Sequence, residues 1–129
     1  MIIDTSFLFS FLFAEDALHE KAVVDAEKSK GEAWIVPDRI LEELFSIAVC
    51  KIGLDEAIGA IEKLEKNANV SVYYFEKEEV KRIFGMAKER RKKLSFADCS
   101  VIYLAGVSGE RIMACDRQLV AAAKKDFSN

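Results

Sequence analysis

The sequence predicts an α/β domain: a three-layer α/β/α sandwich around a mostly parallel central sheet of four or five short strands. Two observations carry this. Short, almost wholly apolar runs (residues 1–3, 33–36, 70–75 and 111–115) alternate along the chain with longer stretches of helical periodicity. Alternation of that kind implies right-handed crossovers and a parallel sheet covered on both faces. Composition bounds the rest. With 129 residues, 51% hydrophobic and 32% charged, and a single Pro, the chain reads as one soluble globular domain spanning 1–129.

In order, Met1-Ile2-Ile3 reads as a buried strand ended by Asp4, and Thr5 or Ser6 caps a helix through Phe7, Leu8, Phe11 and Leu12. A second helix is expected from Asp16 to Lys30, with Ala17, Leu18, Ala22, Val23 and Ala26 inward and Gly31 as its stop. Ala33 to Val36 is the next strand, and Pro37 opens a helix to Lys51. On a helical wheel its apolar arc centres between Leu44 and Ala48. Glu43 falls at the edge of that arc, and Glu42 points farther toward solvent. Gly53 marks a turn before an amphipathic helix, Leu54 to Asn67, carried by Ala57, Ile58, Ile61 and Leu64. Val70 to Phe75 is a strand. The helix from Glu76 to Lys93 buries Val80, Ile83, Phe84 and Ala87 and ends in the basic run Lys88, Arg90, Arg91, Lys92, Lys93. Such a run complements a helix C-terminus, and holding substrate phosphates is the other reading of it.

Leu94 to Val107 is apolar on nearly every side, with Ser95 as its N-cap and Asp98 as its one charge. Asp98 projects with Val101, Ile102 and Ala105 toward protein, where an ionised carboxylate costs several kcal/mol unless paired. Ser95 and Asp98 also have capping-box spacing, with Asp in place of Glu, so a purely structural role fits Asp98 alone as well as a chemical one. After a turn at Ser108-Gly109, Arg111 to Cys115 is a strand ended by Asp116. Gln118 to Ala123 is a last helix, and Phe127-Ser128-Asn129 a tail that suits an edge strand.

Function classes narrow quickly. Net charge is −3, which argues against a stoichiometric nucleic-acid binder but not against an enzyme with a local basic patch. Cys50, Cys99 and Cys115 lie in apolar segments without metal-ligand spacing and read as reduced core residues of a cytoplasmic protein; His19, the single histidine, reads as solvated. The apolar opening lacks a basic n-region, carries Asp4 and is about half the length of a membrane span, so it reads as core.

Four acids then point to one place. Asp4 and Asp116 each end a buried strand before a helix, at the carboxyl edge where open α/β sheets bind ligands. Glu43 and Asp98, on helices, can face the same rim. An Asp after a strand is more often a cap, and only the joint pattern raises a functional reading. Carboxylates brought together repel, and Mg²⁺ or Mn²⁺ relieves this with oxygen ligands, whereas zinc lacks a Cys/His set. Such a metal activates water for phosphodiester cleavage without a histidine.

With MIIDTSFLFSFLF, VPDRILEELFSIA, LSFADCSVIYLA and IMACDRQL in hand, the chain resembles the PIN-domain nucleases, and among them the small VapC-like toxins of prokaryotic toxin–antitoxin pairs. The resemblance implies a PIN-like fold and metal ligation or proximity for Asp4, Glu43, Asp98 and Asp116, with Ser6 lining the site. It further implies Mg²⁺- or Mn²⁺-dependent endoribonuclease activity, an RNA substrate, homodimerisation and a small antitoxin that enters the cleft. Two departures stand out: Ala114 where the family commonly has Thr, and Gln118 where it often has Asp. They leave room for a single metal, for weak activity and for an inactive PIN module acting as a binding or scaffold subunit; a further alternative is an RNA-processing nuclease with no antitoxin.

Overall fold

The computed structural model describes residues 1–90, 94–115 and 119. Asp116 and Gln118, the end of the basic run (91–93), and the stretches expected to form a last helix and an edge-strand tail lie, except for Leu119, outside the described residues.

The elements are β1 (Ile2–Ile3), α1 (Thr5–Leu12), α2 (His19–Lys28), β2 (Trp34–Pro37), α3 (Asp38–Lys51), α4 (Leu54–Lys66), β3 (Val70–Tyr73), α5 (Lys77–Glu89), α6 (Phe96–Ser108) and β4 (Ile112–Met113). The four strands form one sheet in the order β3-β2-β1-β4, and every pairing is parallel. Ile2 sits between Ile35 and Ile112, so a strand of only two residues lies inside the sheet. Two residues suffice there because Ile2 and Ile3 are fully buried and their apolar side chains meet protein on every side. The core continues through Phe7, Leu8, Val36, Ile40, Leu44, Val101 and Ile102. A smaller cluster of Ile83, Cys99 and Tyr103 joins α5 to α6.

The expected α/β class and parallel sheet are what the chain forms, with differences at the element ends. Asp4 caps α1, rather than Thr5 or Ser6: its Oδ1 accepts the Phe7 N–H at 3.0 Å. Helix α2 starts at His19 because Asp16 is engaged in the turn before it, accepting from the Ser10 hydroxyl and the Leu18 N–H. It packs chiefly on α1 and buries Ala22, which leaves Leu18 and Val23 on the surface. Pro37 closes β2, paired with Tyr73, and is the N-cap of α3, not its first turn. Ile58 and Phe84 are exposed as well; Phe84 stacks on Phe96 at 4.5 Å between ring centroids instead of entering the core. Cys50 is exposed, whereas Cys99 is buried and Cys115 half-buried. His19 is half-buried, and its Nδ1–H donates to the Ser10 carbonyl at 2.8 Å, tying α2 back to α1.

Candidate active site

The chain turns out of β1 straight into α1, so Asp4 stands at the carboxyl edge of the sheet with its amide donating to the Met113 carbonyl at 3.2 Å. Its side chain is 3% exposed. Burial alone would disfavour the charge, and three features oppose that. The Phe7 N–H and the positive end of α1 meet the carboxylate directly. The Ser6 hydroxyl donates to it, within 3.0 Å of Oδ1 and 2.9 Å of Oδ2. Ser6 Oγ also accepts the Cys115 N–H at 3.1 Å, which fixes the end of β4 against the start of α1.

Glu43 lies six residues after Pro37 and is half-buried, while Glu42 is exposed and pairs with Arg39 at 3.1 Å. The wheel position at the edge of the apolar arc therefore separates the two neighbours correctly. Burial pushes the Glu43 carboxyl above its usual value, and the charge of Asp98 pushes in the same direction. The Thr5 hydroxyl faces Glu43 and pulls the other way. The buried Thr5 Oγ1 meets no hydrogen-bond partner of good geometry among the described residues.

Asp98 caps its own helix and also lines the cleft. The capping box forms: Ser95 Oγ accepts the Asp98 N–H at 3.0 Å, and Asp98 Oδ2 accepts the Ser95 N–H at 3.2 Å. Oδ1 accepts no hydrogen bond among the described residues, and the residue is half-buried in the wall of the cleft that holds Asp4 and Glu43. The neighbouring residues from Cys99 to Leu104 are buried, so the helix that presents Asp98 is held firmly.

These side chains line one cleft of about 390 Å³, together with Thr5, Ser6, Ser10, Asp16 and Cys115. Two groups there were not singled out from the sequence: Asp16, turned in by its bond to Ser10, and Lys51, at the end of α3. Positions 43, 47 and 51 all line the cleft, and this i, i+4, i+8 stripe is the signal that could have found Lys51. Lys88 and Arg90 do not line it. The Cys115 thiol is pushed up chiefly by burial and also by the charges of Asp4 and Asp16, with Ser10 and Lys21 opposing, so it remains a neutral thiol.

The donor set suits a hard divalent cation. Asp4, Glu43 and Asp98 supply carboxylate oxygens, Thr5 and Ser6 supply hydroxyls, and the buried Thr5 Oγ1 is an orphan that a ligand or water would satisfy. Among the described residues, however, no three acidic, His or Cys side chains are drawn together tightly enough to enclose an ion. The arrangement is thus an open acidic cleft, suited to an ion that keeps some of its own waters or takes ligands from substrate.

A family model described as PIN domain matches residues 1–125. Among solved structures, the toxin VapC20 of Mycobacterium tuberculosis, described as cleaving the sarcin-ricin loop, superimposes with a TM-score of 0.84 at 20% identity. The match covers 94% of this chain and 93% of that one, and at such identity it is a likeness of fold. No curated protein matches the chain in sequence.

Proposed function

The chain belongs to the PIN domain family, and from that premise we propose that it is a Mg²⁺- or Mn²⁺-dependent endoribonuclease, the toxin of a toxin–antitoxin pair. The single observation that carries this reading is the meeting of Asp4, Glu43 and Asp98, distant in sequence, in one cleft at the carboxyl edge of the sheet. Asp116 is assigned to the same site on its sequence position alone. A homodimer and a small protein inhibitor belong to the reading, as does the whole chain, 1–129, acting as one domain. The apolar side chains of Leu54 and Ile58 exposed on α4 leave surface for such partners.

When bound, a divalent cation supplies Lewis-acid stabilisation of phosphate charge and an activated water. The protein's own groups define the rest. Asp4, held by Ser6 and the start of α1, is oriented as a ligand. Asp98 offers Oδ1 while Oδ2 is anchored to its own helix cap. Glu43, raised in pKa and half-buried, is the group suited to accept a proton from the attacking water.

Purified protein is expected to cut RNA oligomers, including one carrying a sarcin-ricin loop, with Mg²⁺ or Mn²⁺, to be silenced by EDTA, and to lose at least a hundredfold in rate as folded Asp98→Asn. Undiminished cleavage by Asp98→Asn would refute the site assignment. One observation favours a second reading, an RNA-binding PIN module that does not cut: the described carboxylates do not form a closed ligand cluster. Calorimetry separates the two, since a non-metal module gives no Mn²⁺ heat that depends on Asp98.

A further inference from the structure

We propose that Lys51, backed by the ring of Phe9, is an RNA-phosphate subsite at the end of the acidic cleft, holding a phosphate next to the one that is cut. The inference rests on the nuclease reading above and adds to it the element that draws a polyanion toward a negatively charged wall.

The cleft is otherwise hostile to RNA. Asp4, Asp16, Glu43 and Asp98 all line it, and the whole chain carries a net charge of −3. A cation held by the carboxylates compensates for the charge at the cut phosphate only. Its neighbours along the strand meet the same field and need a protein cation of their own. Among the described residues that line the cleft, Lys51 is the one basic side chain.

Its placement suits that task in three ways. Glu43, Ile47 and Lys51 descend one face of α3 at intervals of four, so two helical turns, roughly 12 Å of axis, separate the Lys51 backbone from that of Glu43. That is too far for Lys51 to compete as a partner of Glu43 and suits a neighbouring phosphate. The ammonium stands over the Phe9 ring, 5.5 Å from its centroid, which restrains a side chain that otherwise samples many rotamers. No carboxylate lies within ion-pair distance of it among the described residues, so its charge is available to a ligand. Lys51 is also the last residue of α3, where a cation complements the helix dipole. A role confined to that would show in stability and not in RNA binding.

The experiment compares wild type, Lys51→Met and Lys51→Arg in Mn²⁺-supported cleavage of a short single-stranded oligoribonucleotide at several salt concentrations, with thermal melts of each protein. Lys51→Met is expected to raise KM about fivefold, leave kcat within twofold, lower the dependence of log(kcat/KM) on log[salt] by about one, and melt within about 1 °C of wild type. Lys51→Arg is expected to restore KM and the salt slope. Wild-type cleavage with KM and salt slope unchanged in Lys51→Met would refute the subsite while leaving the nuclease reading intact. A lowered melting temperature with unchanged KM would assign Lys51 to the helix terminus alone. Wild-type protein that cleaves no RNA in either metal would overturn both readings.

Discussion

Replacing Ser6 with Ala tests how the site is held together. The hydroxyl makes two bonds: it donates to the Asp4 carboxylate, 2.9 Å from Oδ2, and accepts the Cys115 N–H at 3.1 Å. A hydrogen bond to a charged group contributes roughly 1.5–3 kcal/mol and one between neutral groups about 1 kcal/mol. Ser6 is only half-buried, so water replaces part of each, and the net loss should be about 2 kcal/mol. For a chain of this length that lowers the melting temperature by about 6 °C, which calorimetry of the metal-free protein reads directly. The same deletion removes one of the groups that orient the Asp4 carboxylate, beside the Phe7 N–H. Loss of such an orienting partner typically weakens a metal site tenfold to a hundredfold, so the Mn²⁺ concentration for half-maximal cleavage should rise at least tenfold. A Ser6→Ala protein that melts within about 1 °C of wild type and needs no more Mn²⁺ would refute the account of Asp4 as a braced ligand.

Three further outcomes follow from the geometry. Because the folded-state pKa of Glu43 is raised, its contribution favours folding below the unfolded value near 4.5 and is lost as pH climbs through the higher folded value. Glu43→Gln should therefore stabilise the metal-free protein at neutral pH and have little effect well below pH 4.5; thermal melts across pH check both. Ser95→Ala removes the cap of α6 without touching a cleft-lining carboxylate, and should cost about 1 kcal/mol in denaturant unfolding while cleavage stays within severalfold of wild type. Leu44→Ala, at a fully buried position in the middle of α3, should cost about 3 kcal/mol in the same assay and lower activity only in proportion to the unfolded fraction.

Much of this was legible in the residues themselves. Alternating apolar runs and helical periods fixed the parallel architecture, because strands buried on both faces have no polar side to confuse the pattern. The wheel separated Glu43 from Glu42 because a charge beside an apolar arc sits where helix meets protein. Other features needed tertiary contacts. The exposure of Val23 reflects a helix with one main neighbour, and that of Phe84 a preference for stacking on Phe96 over burial. His19 was read as solvated because its partner, the Ser10 carbonyl, belongs to another helix. Lys51 went unnoticed because a lysine at a helix C-terminus has an ordinary explanation, and nothing local says that the same end opens onto an acidic cleft. At Asp98 a helix cap and a place in the cleft wall coexist, because only Oδ2 is taken up by the cap.

The sheet order β3-β2-β1-β4 places the first strand at the centre, gripped on one side by β2 and on the other by the last of the four to be synthesised. The cleft consequently has no early form. A chain emerging from the ribosome displays Asp4 at once, but Glu43 and Asp98 face it only after α3 and α6 have packed, and Ser6 finds the Cys115 amide only after β4 is laid down. A fragment that stops before α6 therefore carries Asp4 and Glu43 without the cleft that brings them together with Asp98.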